Sequence, residues 1–377
     1  MPTTTRAAVL WGTGEDWKIE DVQLDDPKAN DVLVTMKAAG MCHSDEHAVT
    51  GDLPLPLPVI GGHEGAGIVE AVGPGVTTLA PGDHVSISFI PSCGRCKWCS
   101  TGRQYLCDEG AKLFDIGMMS DGREAHHVNN AQGSSTAVGR FAQVGTFSEQ
   151  VLVSENSLVK VEKDLPFGVV ALVSCGVATG FGSATERAGT KPGDNVAVIG
   201  VGGIGINAVQ GARIAGAKRV IAIDPVEFKR EQAMEFGATH TYSSVEEALL
   251  ALPDLTWGDM CERVILCPGV MHGDMIEPAL GLTSKGGTLV VTGLAPLLEN
   301  DAQLNVFMLS MMNKEIKGTV YGSSNPRAII PQLLSMYREV ELKLDELITK
   351  RYSLDQVNEG YADMRNGVNI RGVIDFA

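Results

Sequence analysis

The chain has 377 residues, more than a single hydrophobic core usually supports, so its length predicts two domains. Its 46 acidic and 30 basic residues give a formal net charge of -16, which would repel nucleic acid and anionic membrane surfaces at long range. The 44 glycines follow no G-X-Y period and 44% of the residues are hydrophobic, which excludes a fibre and indicates a turn-rich globular α/β protein.

The N-terminus, MPTTTRAAVLW, has no basic segment followed by an apolar run and a small-residue cleavage site. We therefore expect no secretory signal and a cytoplasmic location. A later stretch without charged residues, 167–185, would reach across a bilayer, but its repeated Gly, Ser and Thr predict a buried segment of a globular domain. We expect neither nucleic acid nor a membrane as a partner.

Residues 6 to about 177 alternate short β-branched runs with Gly- and Pro-rich turns such as PGVTTLAPGD at 74–83. This alternation predicts a mainly β domain, in the form of a partly open barrel. The predicted strands are 32–36, 67–72, 84–89 and 148–153.

Two motifs in this region indicate a metal site with a free position. GMCHSDEH at 40–47 and GGHEGAGIVEAVG at 61–73 place Cys42 and His63 on turns beside strands, and Cys175 follows in SCGVATG. Two cysteines and one histidine provide three ligands and leave one position open, as a catalytic zinc requires. Each residue alone is more often a packing residue, and spacing cannot show that segments so far apart in the chain meet.

A cysteine quartet lies between these motifs. Cys93, Cys96, Cys99 and Cys107 follow the pattern C-x2-C-x2-C-x7-C in a loop that also contains basic residues. Four closely spaced thiolates can surround zinc tetrahedrally, and such a closed site is structural because no position is left for a substrate. An iron–sulfur cluster is the alternative that uses the same ligands.

From about 177 to about 319 the pattern changes to apolar strand, glycine turn and helix, which predicts a doubly wound parallel sheet. The predicted strands are 195–200, 219–224, 263–267 and 287–292. An amphipathic stretch at 329–337 and an apolar strand at 372–376 then return to the first domain.

The first of these strands runs into a dinucleotide-binding loop. NVAVIGVGGIG at 195–205 contains G-x-G-x-x-G, with Gly200, Gly202 and Gly205 as the motif glycines and Gly203 between them, and a predicted helix follows at 206–215. Asp224 ends the next strand, where a carboxylate binds ribose hydroxyls and repels a 2′-phosphate. The motif therefore favours NAD over NADP.

On these residues the chain resembles the zinc-containing medium-chain alcohol dehydrogenases over essentially its whole length. The resemblance rests on Cys42, His63 and Cys175, on GHE-x-x-G at 62–67, on the cysteine quartet and on the glycine loop. It implies a fold with a Rossmann doubly wound parallel sheet and a GroES-like mainly β catalytic domain. The implied domains are 1–177 with 320–377, which carries the structural zinc loop at 93–107, and 178–319.

The resemblance also implies two zinc ions per chain, NAD(H), a small alcohol or aldehyde as substrate, and a homodimer or homotetramer. An alcohol at the open zinc position would lose its proton more easily, because zinc can lower the pKa of bound water from about 15.7 to roughly 7. The remaining implied roles are the following: Asp45 fixes the tautomer of His63, Glu64 lies behind the metal, Ser44 accepts the alcohol proton, His47 releases it to solvent, Lys229 contacts the adenosine ribose, His43 and Arg371 contact the pyrophosphate, and Leu53 and Phe89 line the substrate pocket.

The sequences PVEFKREQA at 225–233, GSSNPRA at 322–328 and NIRGVI at 369–374 resemble the nicotinoprotein branch of this family, the nitrosoaniline-dependent alcohol dehydrogenases. That resemblance implies NAD(H) that stays bound through turnover and is re-oxidised by a second substrate or an external electron acceptor. The long polar segment 117–145 is expected to border the zinc loop, with His126 and His127 exposed to solvent.

Two other functions fit parts of this pattern. A formaldehyde dehydrogenase acting on a thiol adduct would share both zinc sites and the glycine loop, but needs a basic anchor for the carboxylates of the thiol. The arginine of the glutathione-dependent class falls near Ala111 here, which disfavours that function, although Lys112 or Arg123 would suit a different thiol. A catalytically silent dinucleotide-binding protein would lack some of the catalytic residues, and all five of them are present: Cys42, Ser44, His47, His63 and Cys175.

Overall fold

A computed structural model of the chain describes residues 3–110, 122–129 and 134–377. The chain forms two compact units. The first contains the chain up to Cys175 together with Asn325–Glu339 and Leu344–Ala377, and the second contains Gly176–Ser324 and Val340–Lys343. Each unit is built around its own sheets and its own apolar core.

The strands of the described residues, in chain order, are β1 Thr3–Leu10, β2 Lys18–Leu24, β3 Asp31–Gly40, β4 Val59–Ile60, β5 Glu64–Val72, β6 His84–Ile87, β7 His126–Asn129, β8 Ser135–Ala137, β9 Gly139–Arg140, β10 Gln150–Ser154, β11 Leu158–Val161, β12 Asn195–Ile199, β13 Arg219–Ile223, β14 His240–Tyr242, β15 Cys261–Leu266, β16 Thr283–Val291, β17 Glu315–Gly318, β18 Ile348–Tyr352 and β19 Arg371–Asp375. The α-helices are α1 His43–Thr50, α2 Lys97–Ser100, α3 Phe167–Val173, α4 Gly176–Gly182, α5 Gly205–Ile214, α6 Glu227–Glu235, α7 Val245–Thr256, α8 Ile276–Leu282, α9 Val306–Met311, α10 Pro326–Arg338 and α11 Val357–Arg365.

The first unit is mainly β and contains two sheets, in the strand orders β8-β7-β2-β1-β4-β9 and β11-β6-β5-β3-β19-β18, with β10 also paired to β3. Strand β3 is central because β5, β10 and β19 all pair with it antiparallel. At its carboxyl end Gly40 lies opposite Glu64 of β5 and Val373 of β19. This register brings the starts of β5 and β19 to the point where β3 leads into α1.

The second unit contains one parallel sheet in the order β14-β13-β12-β15-β16-β17. The order reverses between β12 and β15, which is where open α/β sheets bind their ligands, at the carboxyl ends of the strands. Its strands are buried on both faces and rich in valine, alanine and isoleucine, as in β12 and β13. The predicted fold class, a Rossmann sheet joined to a mainly β unit, is confirmed.

The four strands predicted in the β domain correspond to β3, β5, β6 and β10, and the four predicted in the sheet correspond to β12, β13, β15 and β16. Strands β14 and β17, the two edges of the parallel sheet, were not predicted. Both strands are short and partly exposed, and their polar residues give no apolar run to recognise.

Residues 168–184 of the uncharged stretch are all buried, as its composition predicts. No single helix among the described residues is long and apolar enough to span a membrane, although α3 and the helical segment Gly176–Arg187 pass that test as a pair by length and composition.

The expectation that His126 is exposed is wrong. His126 is 2% exposed because β7 pairs with β2, and alternate residues of a strand face opposite sides of the sheet. Burial lowers the pKa of its imidazole well below the usual value, and nearby Arg140 lowers it further. Its neighbour His127 faces the other side and is only partly buried, with Nε2 3.8 Å from Asp25 Oδ1.

Candidate metal centres and dinucleotide loop

The predicted open metal site is assembled in the first unit. One ligand atom each from Cys42, His63, Glu64 and Cys175 lies within 4.8 Å of the others, and all four residues are buried. Cys42 precedes α1, His63 precedes β5, and Cys175 follows α3. Gly40 of β3 pairs with Glu64 of β5. Cys42, two residues after Gly40, and His63, one residue before Glu64, are therefore close in space. The sheet brings Cys42 and His63 together in this way, and a hydrogen bond from Gly65 N to Ser174 Oγ at 3.3 Å holds the segment of Cys175 beside them.

Two glycines make room for this cluster. A Cβ on Gly40 would lie 2.0 Å from Glu64 Oε2, so any side chain there would displace the carboxylate. Gly62 has a φ of +84°, which favours glycine, and a Cβ there would lie 2.5 Å from Phe147 Cδ1. The turn before His63 therefore depends on glycine both for its backbone conformation and for its packing.

The four residues form one buried group of ionisable side chains. The Cys175 thiol donates to Cys42, and this contact lowers the pKa of Cys42 well below its usual value with further help from His63. The same contact and burial raise the pKa of Cys175. Burial opposes a charge on His63, but Asp45 and the Cys42 thiolate outweigh it and raise the pKa of the imidazole. Two sulfurs and one imidazole in this arrangement fit zinc, which would displace the protons they share.

Neighbouring groups contact the ligand residues. Asp45 Oδ2 lies 3.1 Å from His63 Nδ1, while Asp45 Oδ1 accepts a hydrogen bond from Gly62 N at 2.9 Å. This contact leaves Nε2 of His63 for a metal. Sequence reasoning missed Tyr361, whose buried hydroxyl donates to the Cys42 carbonyl at 3.4 Å. No local signal pointed to it, since the two residues are 319 positions apart.

Glu64 and Arg371 form a buried ion pair beside the cluster. Arg371 Nη2 donates to Glu64 Oε2 and, at 3.2 Å, to the Met41 carbonyl. Burial raises the pKa of Glu64, and Arg371 opposes that shift. The side chain of Arg371 is 3% exposed and forms its ion pair with Glu64. The contact of Arg371 with a pyrophosphate stays a prediction.

The residues assigned to proton transfer lie on α1, directly after Cys42. Cys42 Sγ is 3.7 Å from Ser44 Oγ, so the hydroxyl lies beside the metal cluster. His47 lies one turn further along, with its ring centroid 5.3 Å from that of His43. His47 is 2% exposed, and its Nδ1 lies 3.1 Å from Asp52 Oδ2.

Two aromatic rings pack against His63. The centroid of the His63 ring lies 5.5 Å from that of Phe89 and 5.4 Å from that of Phe141, both in edge arrangements. Leu53 packs in the same apolar cluster. Sequence reasoning missed Phe141 because it lies in the polar segment interpreted as a border of the zinc loop.

The cysteine quartet forms a second cluster in the same unit. One sulfur from each of Cys93, Cys96, Cys99 and Cys107 lies within 4.8 Å of the others. Cys93 Sγ accepts from Cys96 N and Cys96 Sγ accepts from Cys99 N, both at 3.4 Å, so the backbone already stabilises thiolates. Burial alone would raise the pKa of Cys96, but the amides of Cys99 and Asp108 lower it to about 6. The set is complete and fits a closed structural zinc site.

The glycine loop of the second unit has the geometry of a phosphate cradle. Gly200 follows β12 with a φ of +80°, and a Cβ on Gly205 would lie 1.8 Å from the Gly200 carbonyl oxygen. Only glycines allow this close turn from strand to helix. Gly202 lies nearby, where an added Cβ would be 3.9 Å from Lys229 Nζ, and the Gly203 carbonyl accepts from Asn207 Nδ2 at 2.9 Å.

Asp224 lies at the carboxyl end of β13, beside this loop. Its Oδ2 accepts from Val201 N at 3.0 Å and its Oδ1 from Val226 N at 2.9 Å. The carboxylate is therefore fixed by the backbone of the glycine loop itself. A negative charge held at this position suits ribose hydroxyls and opposes a 2′-phosphate.

A thiol-adduct substrate requires a basic anchor, for which the sequence offers Lys112 and Arg123. Arg123 Nη2 lies 2.5 Å from Asp31 Oδ2 and its Nη1 lies 3.9 Å from Asp25 Oδ2, so its charge is already partnered. Ala111 and Lys112 lie outside the described residues.

Comparison with known proteins covers both units. Residues 28–163 match the family described as alcohol dehydrogenase GroES-like domain, and residues 203–339 match the family described as zinc-binding dehydrogenase. The chain is 49% identical to an NDMA-dependent alcohol dehydrogenase of Amycolatopsis methanolica over 98% of both chains. It is 46% identical to alcohol dehydrogenase B of Mycobacterium tuberculosis, covering 99% of this chain and 98% of that one. The crystal structure of benzyl alcohol dehydrogenase from Acinetobacter calcoaceticus matches over 100% of both chains, with a TM-score of 0.91 and 32% identity.

Proposed function

Because the chain belongs to the zinc-binding alcohol dehydrogenases with a GroES-like domain, we propose that it transfers a hydride between a small alcohol or aldehyde and a bound NAD(H). The observation that carries this proposal is the buried cluster of Cys42, His63 and Cys175 with Glu64 beside it. A catalytically silent dinucleotide-binding protein would have no use for such a set, which is costly to bury without a metal.

Zinc held by Cys42, His63 and Cys175 would supply a Lewis acid that makes an alcohol hydroxyl more acidic. We assign uptake of the hydroxyl proton to Ser44, whose Oγ lies 3.7 Å from Cys42 Sγ. His47 receives it further along α1. Asp45 keeps the His63 ring in the orientation that leaves Nε2 available, as it holds Nδ1 at 3.1 Å.

The substrate class follows from the side chains around His63. Phe89 and Phe141 place ring edges against the imidazole, and Leu53 extends the same apolar surface. Such walls exclude water and favour aromatic or long aliphatic alcohols over polar ones. Asp224 and the glycine loop favour NAD(H) as the hydride carrier.

We further propose that NAD(H) remains bound through turnover and is re-oxidised by an external electron acceptor. The support is the relative described as NDMA-dependent, which is 49% identical over 98% of both chains. The protein, purified without added cofactor, is expected to release stoichiometric NAD(H) and about two zinc ions per chain on denaturation. It is also expected to oxidise benzyl alcohol with a nitrosoaniline acceptor and no added NAD. A supernatant without dinucleotide would contradict the proposal that NAD(H) remains bound. The protein would then be a dehydrogenase whose cofactor dissociates.

We also propose that the chain forms a homodimer through the second unit. The α9–β17 surface, defined here as Leu294, Leu297, Leu298, Val306, Phe307, Met308, Met311 and Ile316, is exposed and apolar. β17 ends the parallel sheet, so one side of its backbone is open for pairing. A twofold axis at Ile316 would pair β17 antiparallel with its own copy and set Glu315 opposite Lys317, which makes the strand self-complementary in charge.

Sedimentation velocity tests this surface. Wild type is expected to sediment with at least twice the chain mass, and Phe307→Glu is expected to shift it to a single chain, because the new charge would be buried in the interface. Leu250→Glu is the matched control, since Leu250 is an apolar side chain of the same unit that is 84% exposed on α7. An unchanged mass for Phe307→Glu would contradict this interface.

A cytoplasmic location is likewise proposed, because all eight cysteines are free thiols and six of them belong to the two clusters of metal-ligand side chains, as suits a reducing compartment. Recovery of the protein from the culture medium or the periplasm, with a cytoplasmic marker absent there, would contradict it.

A further inference from the structure

The proposed reaction requires a route for one proton from the buried site to water. Alcohol oxidation moves one hydride to the nicotinamide ring and leaves one proton to be disposed of. The family resemblance assigns release of that proton to His47, and His47 is 2% exposed. A second group must therefore connect its ring to water.

Asp52, five residues after His47, is that group. Gly51, with a φ of +84°, ends α1 in the left-handed conformation, and Leu53 N donates to the His47 carbonyl at 3.0 Å. This turn folds the chain back over α1 and places Asp52 Oδ2 3.1 Å from His47 Nδ1. The carboxylate is 28% exposed, whereas the imidazole side chain is 3% exposed. Asp52 therefore contacts the buried ring and also reaches solvent.

A further hydrogen bond holds the carboxylate in place. Thr50 Oγ1 donates to Asp52 Oδ2 at 2.8 Å, so the oxygen that faces His47 is oriented from the last residue of α1. A carboxylate beside one imidazole nitrogen favours the tautomer with its proton on that nitrogen, and it stabilises the imidazolium formed when the other nitrogen accepts a proton. Here Nδ1 would carry the proton and Nε2 would be the acceptor.

We propose that Asp52 is a positioning residue of the proton relay, which holds His47 in the accepting tautomer and carries the proton from the buried ring to water. The proposal rests on the proposed dehydrogenase function. One proton arrives on Nε2, one proton leaves Nδ1 for Asp52, and the carboxyl group gives it to water. The neutral ring then re-forms its Nδ1–H tautomer before the next turnover. No oxidant or further reactant is involved in these steps.

Substitution of the carboxylate separates this role from simple packing. Asp52→Asn keeps the size of the side chain but removes the charge, and it is expected to lower kcat for benzyl alcohol oxidation about 100-fold with little change in KM. Its solvent deuterium isotope effect is expected to increase, because proton transfer becomes rate-limiting. Asp52→Glu is expected to restore most of the activity, and added formate is expected to rescue Asp52→Ala in part.

Asp25→Asn is the matched control, because Asp25 also lies beside a histidine of the same unit, with Oδ1 3.8 Å from His127 Nε2, and is 35% exposed. It is expected to turn over like wild type. Histidine-selective ¹⁵N NMR gives a readout without turnover: His47, identified by the signal missing in His47→Gln, is expected to lose its Nδ1–H preference in Asp52→Asn.

The outcomes distinguish this proposal from the proposed function. The role of Asp52 would be overturned if wild type oxidises alcohol and Asp52→Asn keeps both the wild-type rate and the wild-type His47 tautomer. The proposed dehydrogenase function would then still hold. Equal losses in Asp52→Asn and Asp25→Asn would overturn it as well, because the effect would then not be specific to the relay. Wild type that oxidises no alcohol with any acceptor would instead overturn the proposed function.

Discussion

Cys42→Ala is expected to remove one of the two zinc ions per chain and to lower kcat/KM for alcohol oxidation roughly 1,000-fold. Cys42 is the ligand whose pKa is lowered well below its usual value, by the hydrogen bond from Cys175 and by His63, so it is the group already prepared as a thiolate. Zinc contributes several kcal/mol of charge stabilisation to such reactions. A loss of about 4 kcal/mol corresponds to a roughly 1,000-fold lower kcat/KM. Zinc content by mass spectrometry and steady-state kinetics measure the two effects.

Cys261→Ala is the control for this substitution. Cys261 is also buried, but it lies on β15 of the second unit and belongs to neither cluster of metal-ligand side chains among the described residues. We expect it to retain both zinc ions and wild-type turnover. A Cys42→Ala protein that keeps two zinc ions and its activity would show that the chemistry lies elsewhere.

Arg371→Met is expected to lower the free energy of unfolding by about 3–5 kcal/mol, since removing one partner of a buried ion pair leaves the other charge uncompensated. The pair is almost completely buried, with side chains 3% and 0% exposed for Arg371 and Glu64. Burial already raises the pKa of Glu64, and loss of the guanidinium would raise it further. Denaturant unfolding of the zinc-loaded protein measures this free energy of unfolding.

Two further variants test whether burial is the cause. Arg338→Met breaks a pair with Asp164 whose side chains are 41% and 74% exposed, and it is expected to cost ~1 kcal/mol or less. Adding Glu64→Gln to Arg371→Met is expected to recover part of the stability, because the orphaned charge is removed. Equal losses of unfolding free energy in Arg371→Met and Arg338→Met would mean that burial does not increase the effect of breaking the ion pair.

Local sequence was sufficient for much of the chemistry. The quartet from Cys93 to Cys107, the strand and helix around the glycine loop, and Asp224 at the end of the next strand are all encoded within short segments. Such motifs can be interpreted because their residues meet whatever the rest of the chain does. Apolar strands in the centre of a sheet were found for a similar reason, since their composition reflects burial on both faces. The short edges, β14 and β17, have no such composition and were missed.

Contacts between distant segments were decided only by the tertiary structure. Arg371 and Glu64 are 307 positions apart, and their pairing depends on β3 lying between β5 and β19. The burial of His47 beside Asp52, and of Phe141 against His63, likewise follows from how the elements pack. The sequence by itself thus determined which ligands, glycines and acids are present and what fold they belong to. Sheet register and packing decided which of them meet, because those depend on the whole chain and on no single motif.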